Sequence, residues 1–267
     1  MGNAEPVPAS VVGTDWREDI HFKTRILVGD EGVERLRDAR VAVLGLGGVG
    51  GSCAEALARA GVGTLVLVDD DVVSPTNLNR QALAFTSTLG RPKAEVAAAM
   101  ARDINPRVRA VALERRILPE GVAELFSVDV PFLLGEPQGS EELLTYVVDC
   151  QDTVATKIEL AAYCEARGIP LVSSMGTGNK LHPELFCIDD IYRTSVDPLC
   201  KVVRRELRRR GVKGFEVLFS TEEPRKVAPR EDAERRERTY VGTVSFVPPV
   251  AGLMLAGHVV RRVLGIE

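Results

Sequence analysis

The sequence predicts an α/β fold, a Rossmann-like doubly wound sheet that is mostly parallel. Three observations predict it. Apolar runs rich in β-branched residues alternate with helical segments, the first run ends in a glycine-rich loop, and 45% of the 267 residues are hydrophobic. Alternating strands and helices imply parallel strands with right-handed crossovers. With 27% charged residues, the composition is globular and excludes a disordered or fibrous chain.

Five short apolar runs predict buried strands. In chain order they are Arg40–Leu44, Thr64–Val68, Arg109–Leu113, Tyr146–Val148 and Pro170–Ser173. The segments between and before them predict helices, since apolar residues recur at helical spacing and a glycine or an Asn-Pro pair follows most of them. These helices are Gly32–Asp38, Ser52–Ala60, Pro92–Ile104 and Ile158–Arg167.

The two ends of the chain and one internal segment depart from this rhythm. We expect residues 1–15 to form a flexible tail and residues 16–267 to form a single domain. Residues 127–145 contain PFLLGEPQGSEE and are predicted to be a surface insertion. In the C-terminal part, 183–267, we predict an extension of the same domain with a helix, a strand and a closing helix: Pro198–Arg210, Phe215–Phe219 and Pro249–Leu264.

Charge, cysteine usage and the N-terminus exclude several classes of protein. The formal net charge of −4 excludes a global basic footprint for nucleic acid, though not a local one. The five cysteines form no CxxC pair, so neither a disulfide framework nor a structural zinc site is expected. The first ten residues lack a signal peptide, and the apolar runs are shorter than a membrane span, so we expect a cytoplasmic protein without a membrane segment.

A glycine-rich loop joins the first strand to the next helix. Gly45, Gly47, Gly48 and Gly50 permit a tight turn and a close approach of the backbone to phosphate, and the helix N-terminus favours an anion. Asp69 ends the next strand, where a carboxylate can hold a ribose hydroxyl. The loop therefore predicts a nucleotide site, but it does not separate NAD from ATP, and a tight turn without a ligand has the same spacing.

Four residues after Asp69 favour a triphosphate. Asn77, Arg80, Gln81 and Lys93 supply amides and cations, and cations compensate the charge of departing β- and γ-phosphates. Asp152 follows a later strand, and a carboxylate beside phosphates suggests Mg²⁺. Taken alone, Arg80 or Lys93 fits a solvated surface charge as well as it fits a phosphate contact.

Five ordered blocks resemble the ubiquitin-activating-enzyme-like (ThiF/MoeB/HesA) adenylating superfamily. They are GLGGVGG, LVLVDDDVVSPTNLNRQ, GRPKAEV, INP and VVDCQDTVATK. The resemblance implies a ThiF-like ATP-binding domain over residues 16–267 that forms acyl adenylates. It implies that Gly48 lies against the phosphates, Asp69 holds the ribose, and Asp152 holds Mg²⁺.

The same resemblance implies four catalytic residues and a quaternary structure. The catalytic residues are Arg25, Arg80, Lys93 and Asp152; Asn77, Arg80 and Lys93 contact the triphosphate. Arg25 matches an arginine finger that reaches the neighbouring subunit, which implies a homodimer with Arg25 supplied in trans.

Blocks in the second half are similar to the tRNA threonylcarbamoyladenosine dehydratases. These blocks are SSMGTGNK, DIYRTSVDPL and FSTEEP. The similarity implies ATP-dependent adenylation and cyclisation of a threonylcarbamoyl group beside the tRNA anticodon, with sulfur-relay or redox proteins as partners. Asp197 stands where a cysteine is expected in close relatives. The sequence also fits an activator of a small sulfur-carrier protein and, with fewer residues explained, an NAD-dependent dehydrogenase or a non-catalytic nucleotide-binding adaptor.

Two further features each fit two roles. Lys201, Arg204, Arg205 and Arg208 share one face of a predicted helix, with Arg209, Arg210 and Lys213 beyond them. They fit either a contact to RNA phosphates or a solvated helix face balanced by an acid. Cys187 and Cys200 are candidate transient acyl acceptors, although a lone cysteine is more often a small buried hydrophobe.

Overall fold

A computed structural model describes residues 19–139, 143–227 and 241–266. The predicted tail, residues 1–15, lies outside the described residues. Within these ranges, seven strands form one sheet: β1 (Arg40–Leu44), β2 (Thr64–Val68), β3 (Arg109–Leu113), β4 (Tyr146–Asp149), β5 (Leu171–Ser174), β6 (Phe186–Asp190) and β7 (Glu216–Ser220). The described residues also form eight α-helices: α1 (Phe22–Asp38), α2 (Gly48–Ala60), α3 (Lys93–Ile104), α4 (Val122–Glu124), α5 (Val130–Leu134), α6 (Val154–Arg167), α7 (Pro198–Arg210) and α8 (Val247–Leu264).

The strand order is β3-β2-β1-β4-β5-β7-β6, and every pairing is parallel except β6 with β7. This confirms the predicted doubly wound, mostly parallel sheet and the C-terminal extension that continues it. The chain leaves β1 toward one edge and returns at β4 toward the other. Ligands of open α/β sheets bind at such a switch point, outside the carboxyl ends of the strands.

Two apolar cores lie on opposite faces of the sheet. Helices α1, α2, α3 and α8 cover one face, while α4 to α7 cover the other. The central strands are almost fully buried, which explains why they consist of valine, leucine and alanine on both faces. Two layers of helices therefore leave the strand ends as the places where polar side chains can gather.

Several predicted boundaries are wrong. Helix α1 begins ten residues before Gly32, and the chain bends inside it at Gly29, whose φ is +72°. Helix α2 begins at Gly48 rather than at Ser52, so the end of the glycine loop is already helical. The antiparallel edge strand β6 was not predicted, because only its first residue is buried and two aspartates end it.

The predicted surface insertion, residues 127–145, is wrong over its first half. A π-helical turn, Leu125–Asp129, continues into α5, and Val130, Pro131 and Leu134 are buried against the core. Gly135 ends this helix in the left-handed conformation, with φ of +66°. Residues 140–142 lie outside the described residues.

Helix α8 is long and apolar enough to cross a membrane by length and composition alone, and it is the one such helix among the described residues. Half of its residues are nevertheless buried inside the protein. A Cβ on Gly252 would come within 2.2 Å of the Val49 carbonyl oxygen, so α8 packs directly on the backbone of α2. Because α8 packs against α2 in this way, it is a helix of the protein core.

Candidate active site

The glycine loop presents the N-terminus of α2 to a cleft at the carboxyl ends of the strands. Gly45 has φ of +85°, a conformation that side chains rarely adopt. Gly47 caps α2 without any side-chain hydrogen bond, which leaves the first N–H groups of a 13-residue helix open. These groups and the helix dipole form an anion site.

Gly50 serves packing at this point rather than lining the cleft. A Cβ at this position would lie 1.7 Å from the Gly45 carbonyl oxygen and 3.2 Å from the Cys150 Cβ. Only glycine lets α2 approach the end of β1 this closely. Gly50 was predicted to contact the nucleotide, whereas in the structure it packs α2 against the end of β1.

Nine of the eleven residues predicted for the site line one cleft of about 740 Å³. The two that do not are Gly50 and Arg25. The nine come from the ends of β1, β2 and β4, the turn after β2 and the start of α3: Gly45, Gly47, Gly48, Asp69, Asn77, Arg80, Gln81, Lys93 and Asp152.

Asp69 stands at the floor of the cleft and fastens the glycine loop to β2. Its Oδ2 accepts the Leu46 N–H at 2.5 Å, and its Oδ1 accepts the Asp71 N–H at 2.9 Å. Burial raises the pKa of this carboxyl, although the hydrogen bond from Leu46 and the charge of Lys93 act in the opposite direction. A carboxylate in this place orients the loop and faces the position where a ribose hydroxyl would lie.

Lys93 is a buried cation at the start of α3, 4% exposed. Its Nζ donates to Asp71 Oδ2 at 2.7 Å and lies 3.9 Å from Asp69 Oδ1. The Asp71 side chain is 68% exposed, so this ion pair opens directly onto solvent in the cleft. A more highly charged anion in the cleft can therefore replace Asp71 as the partner of Lys93.

The turn after β2 carries the remaining predicted polar groups. Asn77 Oδ1 accepts the Ser74 N–H at 3.0 Å and so fixes the 3₁₀ turn that contains it. Arg80 Nη1 donates to the Thr76 carbonyl oxygen at 3.0 Å, and its Cγ approaches the position of a Gly48 Cβ to 3.3 Å. Gln81 is buried, and its Oε1 has no hydrogen-bond partner among the described residues. This turn thus presents polar groups beside the glycine loop.

Asp152 follows β4 on the other side of the cleft. Its exposed carboxylate accepts only a long hydrogen bond of 3.5 Å from the Thr153 hydroxyl, and it has no cationic partner in the described ranges. Three further carboxylates, Asp69, Asp70 and Asp71, lie within 4.8 Å of one another on the opposite wall. The cleft therefore offers oxygen ligands as well as cations.

Sequence reasoning missed a buried network behind this wall. Lys157 Nζ donates to Asp149 Oδ2, to Ser173 Oγ and to the Ser174 carbonyl oxygen at 2.9, 3.0 and 2.9 Å. Asp149 also accepts the Gln151 N–H at 3.1 Å, which orients the segment that leads to Asp152. The one available signal was Asp149, a carboxylate at the end of an otherwise apolar strand.

Sequence reasoning also missed the ion pair between Lys180 and Asp197, which lies beside the cleft residue Gly176. Lys180 Nζ donates to Asp197 Oδ2 at 3.0 Å and to the Gly176 carbonyl oxygen at 2.5 Å, and both charged side chains are almost fully buried. Asp197 also caps α7 by accepting the N–H groups of Leu199 and Cys200. The aspartate that stands where a cysteine is expected is thus a helix cap and an ion-pair partner.

Arg25 lies outside the cleft of its own chain. Its Nε donates to Asp19 Oδ2 at 2.9 Å, and its Nη1 pairs with Asp30. Exposed apolar side chains stand next to it on α1, with Ile26 49% and Leu27 77% exposed. Within one chain, Arg25 therefore does not join the other predicted catalytic residues.

The cysteines are poorly suited to nucleophilic attack. Cys200 is fully buried, and burial raises the pKa of its thiol to about 12. Burial also raises the pKa of Cys187 and, more strongly, that of Cys150, which lines the cleft. Because the thiolate is the nucleophile, none of these three thiols is activated.

Comparison with known proteins identifies the family of this chain and its relatives. The ThiF family model matches residues 22–267. The chain is 42% identical to the tRNA threonylcarbamoyladenosine dehydratase of Bacillus subtilis, over 91% of this chain and 93% of that protein. A crystal structure of the Escherichia coli tRNA N6-threonylcarbamoyladenosine dehydratase in complex with ATP superposes with a TM-score of 0.79 at 31% identity, covering 96% and 98% of the two chains.

Similarity to a sulfur-carrier activator is less extensive. The Escherichia coli sulfur carrier protein ThiS adenylyltransferase is 36% identical, but over only 64% of this chain and 62% of that protein. The family match, the near full-length relatives and the cleft built on the glycine loop lead to one conclusion. This chain belongs to the ThiF family.

Proposed function

We propose that the protein is an ATP-dependent dehydratase that acts on tRNA threonylcarbamoyladenosine and forms its cyclic derivative. The observation that carries the proposal is the match to a dehydratase over 91% of this chain, extending through the second half where sulfur-carrier activators match less. The cleft supports the ATP-dependent part, because glycine-loop N–H groups, Lys93 and Arg80 lie along one wall.

The first step is adenylation of the threonyl carboxylate. A carboxylate oxygen attacks the α-phosphorus of ATP, the bond to the β-phosphate breaks, and pyrophosphate leaves. Arg80 and Lys93 would compensate the charge of the leaving pyrophosphate, and the α2 N-terminus would hold the phosphates. Asp69 would hold the ribose, and Gln81 Oε1, which has no partner among the described residues, is free to accept a bond from the bound nucleotide.

The second step closes a ring. The urea-like group of the same side chain attacks the acyl carbon, AMP leaves with the former carboxylate oxygen, and a proton is released. The product has therefore lost one water relative to the substrate. Attack within one molecule reaches effective molarities on the order of 10⁵ M, so no enzyme nucleophile is needed. The raised pKa of the cysteines described above agrees with this.

Mg²⁺ fits the Asp152 side of the cleft. The carboxylate is exposed, has no cationic partner among the described residues, and is an oxygen ligand of the kind that Mg²⁺ shares with phosphates. Bound there, Mg²⁺ would neutralise phosphate charge. Asp152 would hold it, and Arg80 and Lys93 act from the other wall.

We further propose a homodimer in which Arg25 reaches the partner's cleft. Two observations support it: Arg25 is remote from the cleft of its own chain, and Ile26 and Leu27 expose apolar surface beside it. The proposal also includes a cytoplasmic location and sulfur-relay or redox partner proteins, as the family resemblance implies.

Mass spectrometry of tRNA nucleosides tests this function. The protein is incubated with ATP and with tRNA that carries threonylcarbamoyladenosine, and the nucleosides are then compared with those from an Arg80→Ala control. We expect loss of one water from the modified nucleoside, with AMP and pyrophosphate formed in equal amounts. An unchanged nucleoside, with pyrophosphate exchange stimulated only by a sulfur-carrier protein, would overturn the proposal in favour of the activator.

A further inference from the structure

Helix α7 starts at the wall of the active-site cleft and extends away from it. Leu199, in its first turn, lines the cleft together with Gly176. The cap residue Asp197 is held by Lys180, and its Oδ2 lies 3.5 Å from the position of a Gly176 Cβ. The 13 residues of α7 span about 20 Å. The helix is thus a fixed arm whose origin is the cleft.

The residue before the cap shows how firmly this origin is set. Val196 has φ of +63°, a left-handed conformation that a β-branched residue rarely adopts. Such strain persists only where the surrounding structure enforces it, and it is common at ligand sites. The first turn of α7 therefore keeps a defined position relative to the cleft wall.

The charge of α7 is unlike that of the other long helices. It carries six cations and one carboxylate, whereas α1, α2, α3 and α6 each carry equal numbers of cations and carboxylates, and α8 carries two cations and no carboxylate. On the opposite layer, exposed arginines pair with carboxylates of their own helix, as in Arg37 with Glu34 and Arg59 with Glu55. In a chain of net charge −4, the excess on α7 is a local feature.

Four of the six α7 cations already form a hydrogen bond or an ion pair within the protein. Arg204 is half-buried and donates to the Thr194 carbonyl oxygen, so it does not belong to the exposed face predicted from the sequence. Arg205 and Arg209 share Glu206. Arg210 pairs with Glu159.

Two exposed cations on α7 have no acidic partner among the described residues. Lys201 is exposed in the turn next to the cleft, and Arg208 lies two turns further along. The Arg208 guanidinium stands over the Tyr192 ring, 5.1 Å from its centroid, which fixes its position without neutralising its charge. Lys201 and Arg208 are seven residues apart, so they share one helix face.

We propose that this face of α7 is the surface on which the RNA substrate docks, with backbone phosphates on Lys201 and Arg208. The modified nucleoside would then enter the cleft at the α7 N-terminus. The proposal rests on the tRNA substrate proposed above and adds where the RNA lies. Phosphate contacts of this kind supply affinity without reading sequence, which suits a surface beside a site that recognises the modified base itself.

The test compares two double variants that lose the same charge. The test variant is Lys201→Ala with Arg208→Gln; the matched control is Arg37→Ala with Arg59→Ala, two exposed arginines on the opposite layer. Binding of tRNA carrying threonylcarbamoyladenosine is measured by filter binding at several salt concentrations. ATP affinity and thermal unfolding are measured alongside to confirm an intact cleft and fold.

We expect the α7 variant to bind tRNA at least about tenfold more weakly. The slope of log K against log salt should fall by about 1.4–1.8, because each of the two lost phosphate contacts contributes about 0.7–0.9. ATP affinity and kcat at saturating tRNA stay unchanged. If the two double variants have equal tRNA affinity and equal salt dependence, RNA does not dock on this face. The cationic face would then fit an acidic protein partner instead. If the wild type binds tRNA through α7 but dehydrates nothing, the surface stands and the proposed activity fails.

Discussion

Two buried lysines in this molecule differ in what closes around them. Lys157 is 1% exposed and donates to three acceptors, and its carboxylate partner Asp149 is equally buried. Lys93 is 4% exposed, but its partner Asp71 is 68% exposed and stands in the cleft. Burial alone therefore does not identify a functional cation. A closed network stabilises the fold, while a network with one side open leaves its charge available to a ligand.

The largest expected effect concerns the closed network. Lys157→Met leaves the Asp149 carboxylate buried without its cation, which costs about 3–5 kcal/mol in the free energy of unfolding. Denaturant unfolding measures this. Lys157→Met combined with Asp149→Leu should recover most of the loss, because a buried ion pair can often be replaced by apolar side chains of similar volume. A single variant as stable as wild type would show that the network is not closed as described.

The next largest effect is on catalysis, at residues that line the open cleft. Arg80→Ala and Asp152→Ala should each lower adenylate formation roughly 10²- to 10³-fold, the usual cost of losing one preorganised charge at a reacting centre. Both proteins should stay folded, and Asp152→Ala should change the free energy of unfolding by less than about 0.5 kcal/mol, since the side chain is exposed. Pyrophosphate exchange measures the rate. Full activity in either variant would remove that residue from the site.

A smaller effect tests how the glycine loop is built. Gly50→Ala forces a Cβ against the Gly45 carbonyl oxygen, and we expect a loss of about 1–3 kcal/mol, the range for overpacking. The neighbouring Gly51→Ala is the matched control, because its Cβ would meet a Leu83 side-chain carbon at 3.3 Å, and a side chain can shift more easily than backbone. Chemical denaturation compares them. Equal losses would contradict the packing role of Gly50.

The smallest effect lies at the opposite end of the sheet. Burial acts to raise the pKa of Glu216, but hydrogen bonds from Arg262, His258 and Tyr146 outweigh it, so the pKa lies below its ordinary value of 4.5. A lowered folded-state pKa gives stability that is present above pH 4.5 and lost as the pH falls through the folded-state value. Glu216→Gln should flatten this acid limb in thermal unfolding from about pH 6 to about pH 3. A limb of unchanged slope would exclude this role.

The sheet could be predicted because its strands are buried on both faces and therefore consist of uninterrupted apolar runs. The glycine loop and the polar residues after it could be predicted because a close approach to phosphate restricts the residue types. The edge strand β6 could not, since most of it is half-buried and no run forms. The same holds for the first turns of α1, which lack a buried stripe before Gly32 and are held by the Asp19–Arg25 pair.

The candidate site was predictable in its members but not in its support. Lys157 and Lys180 carry no signal in the sequence that distinguishes a buried lysine from a solvated one. Their partners, Asp149 and Asp197, lie 8 and 17 positions away. Only the fold brings each pair together.

The contrast between the two lysines can be measured side by side. Lys93→Met and Lys157→Met are compared in ATP–pyrophosphate exchange and in thermal unfolding. We predict opposite outcomes. Lys93→Met loses exchange and keeps a midpoint near that of wild type, while Lys157→Met has a lower midpoint and keeps most of its exchange below it. If Lys93→Met retained full exchange, or if it lost as much stability as Lys157→Met, the result would contradict the claim that Lys93 binds ATP rather than stabilising the fold.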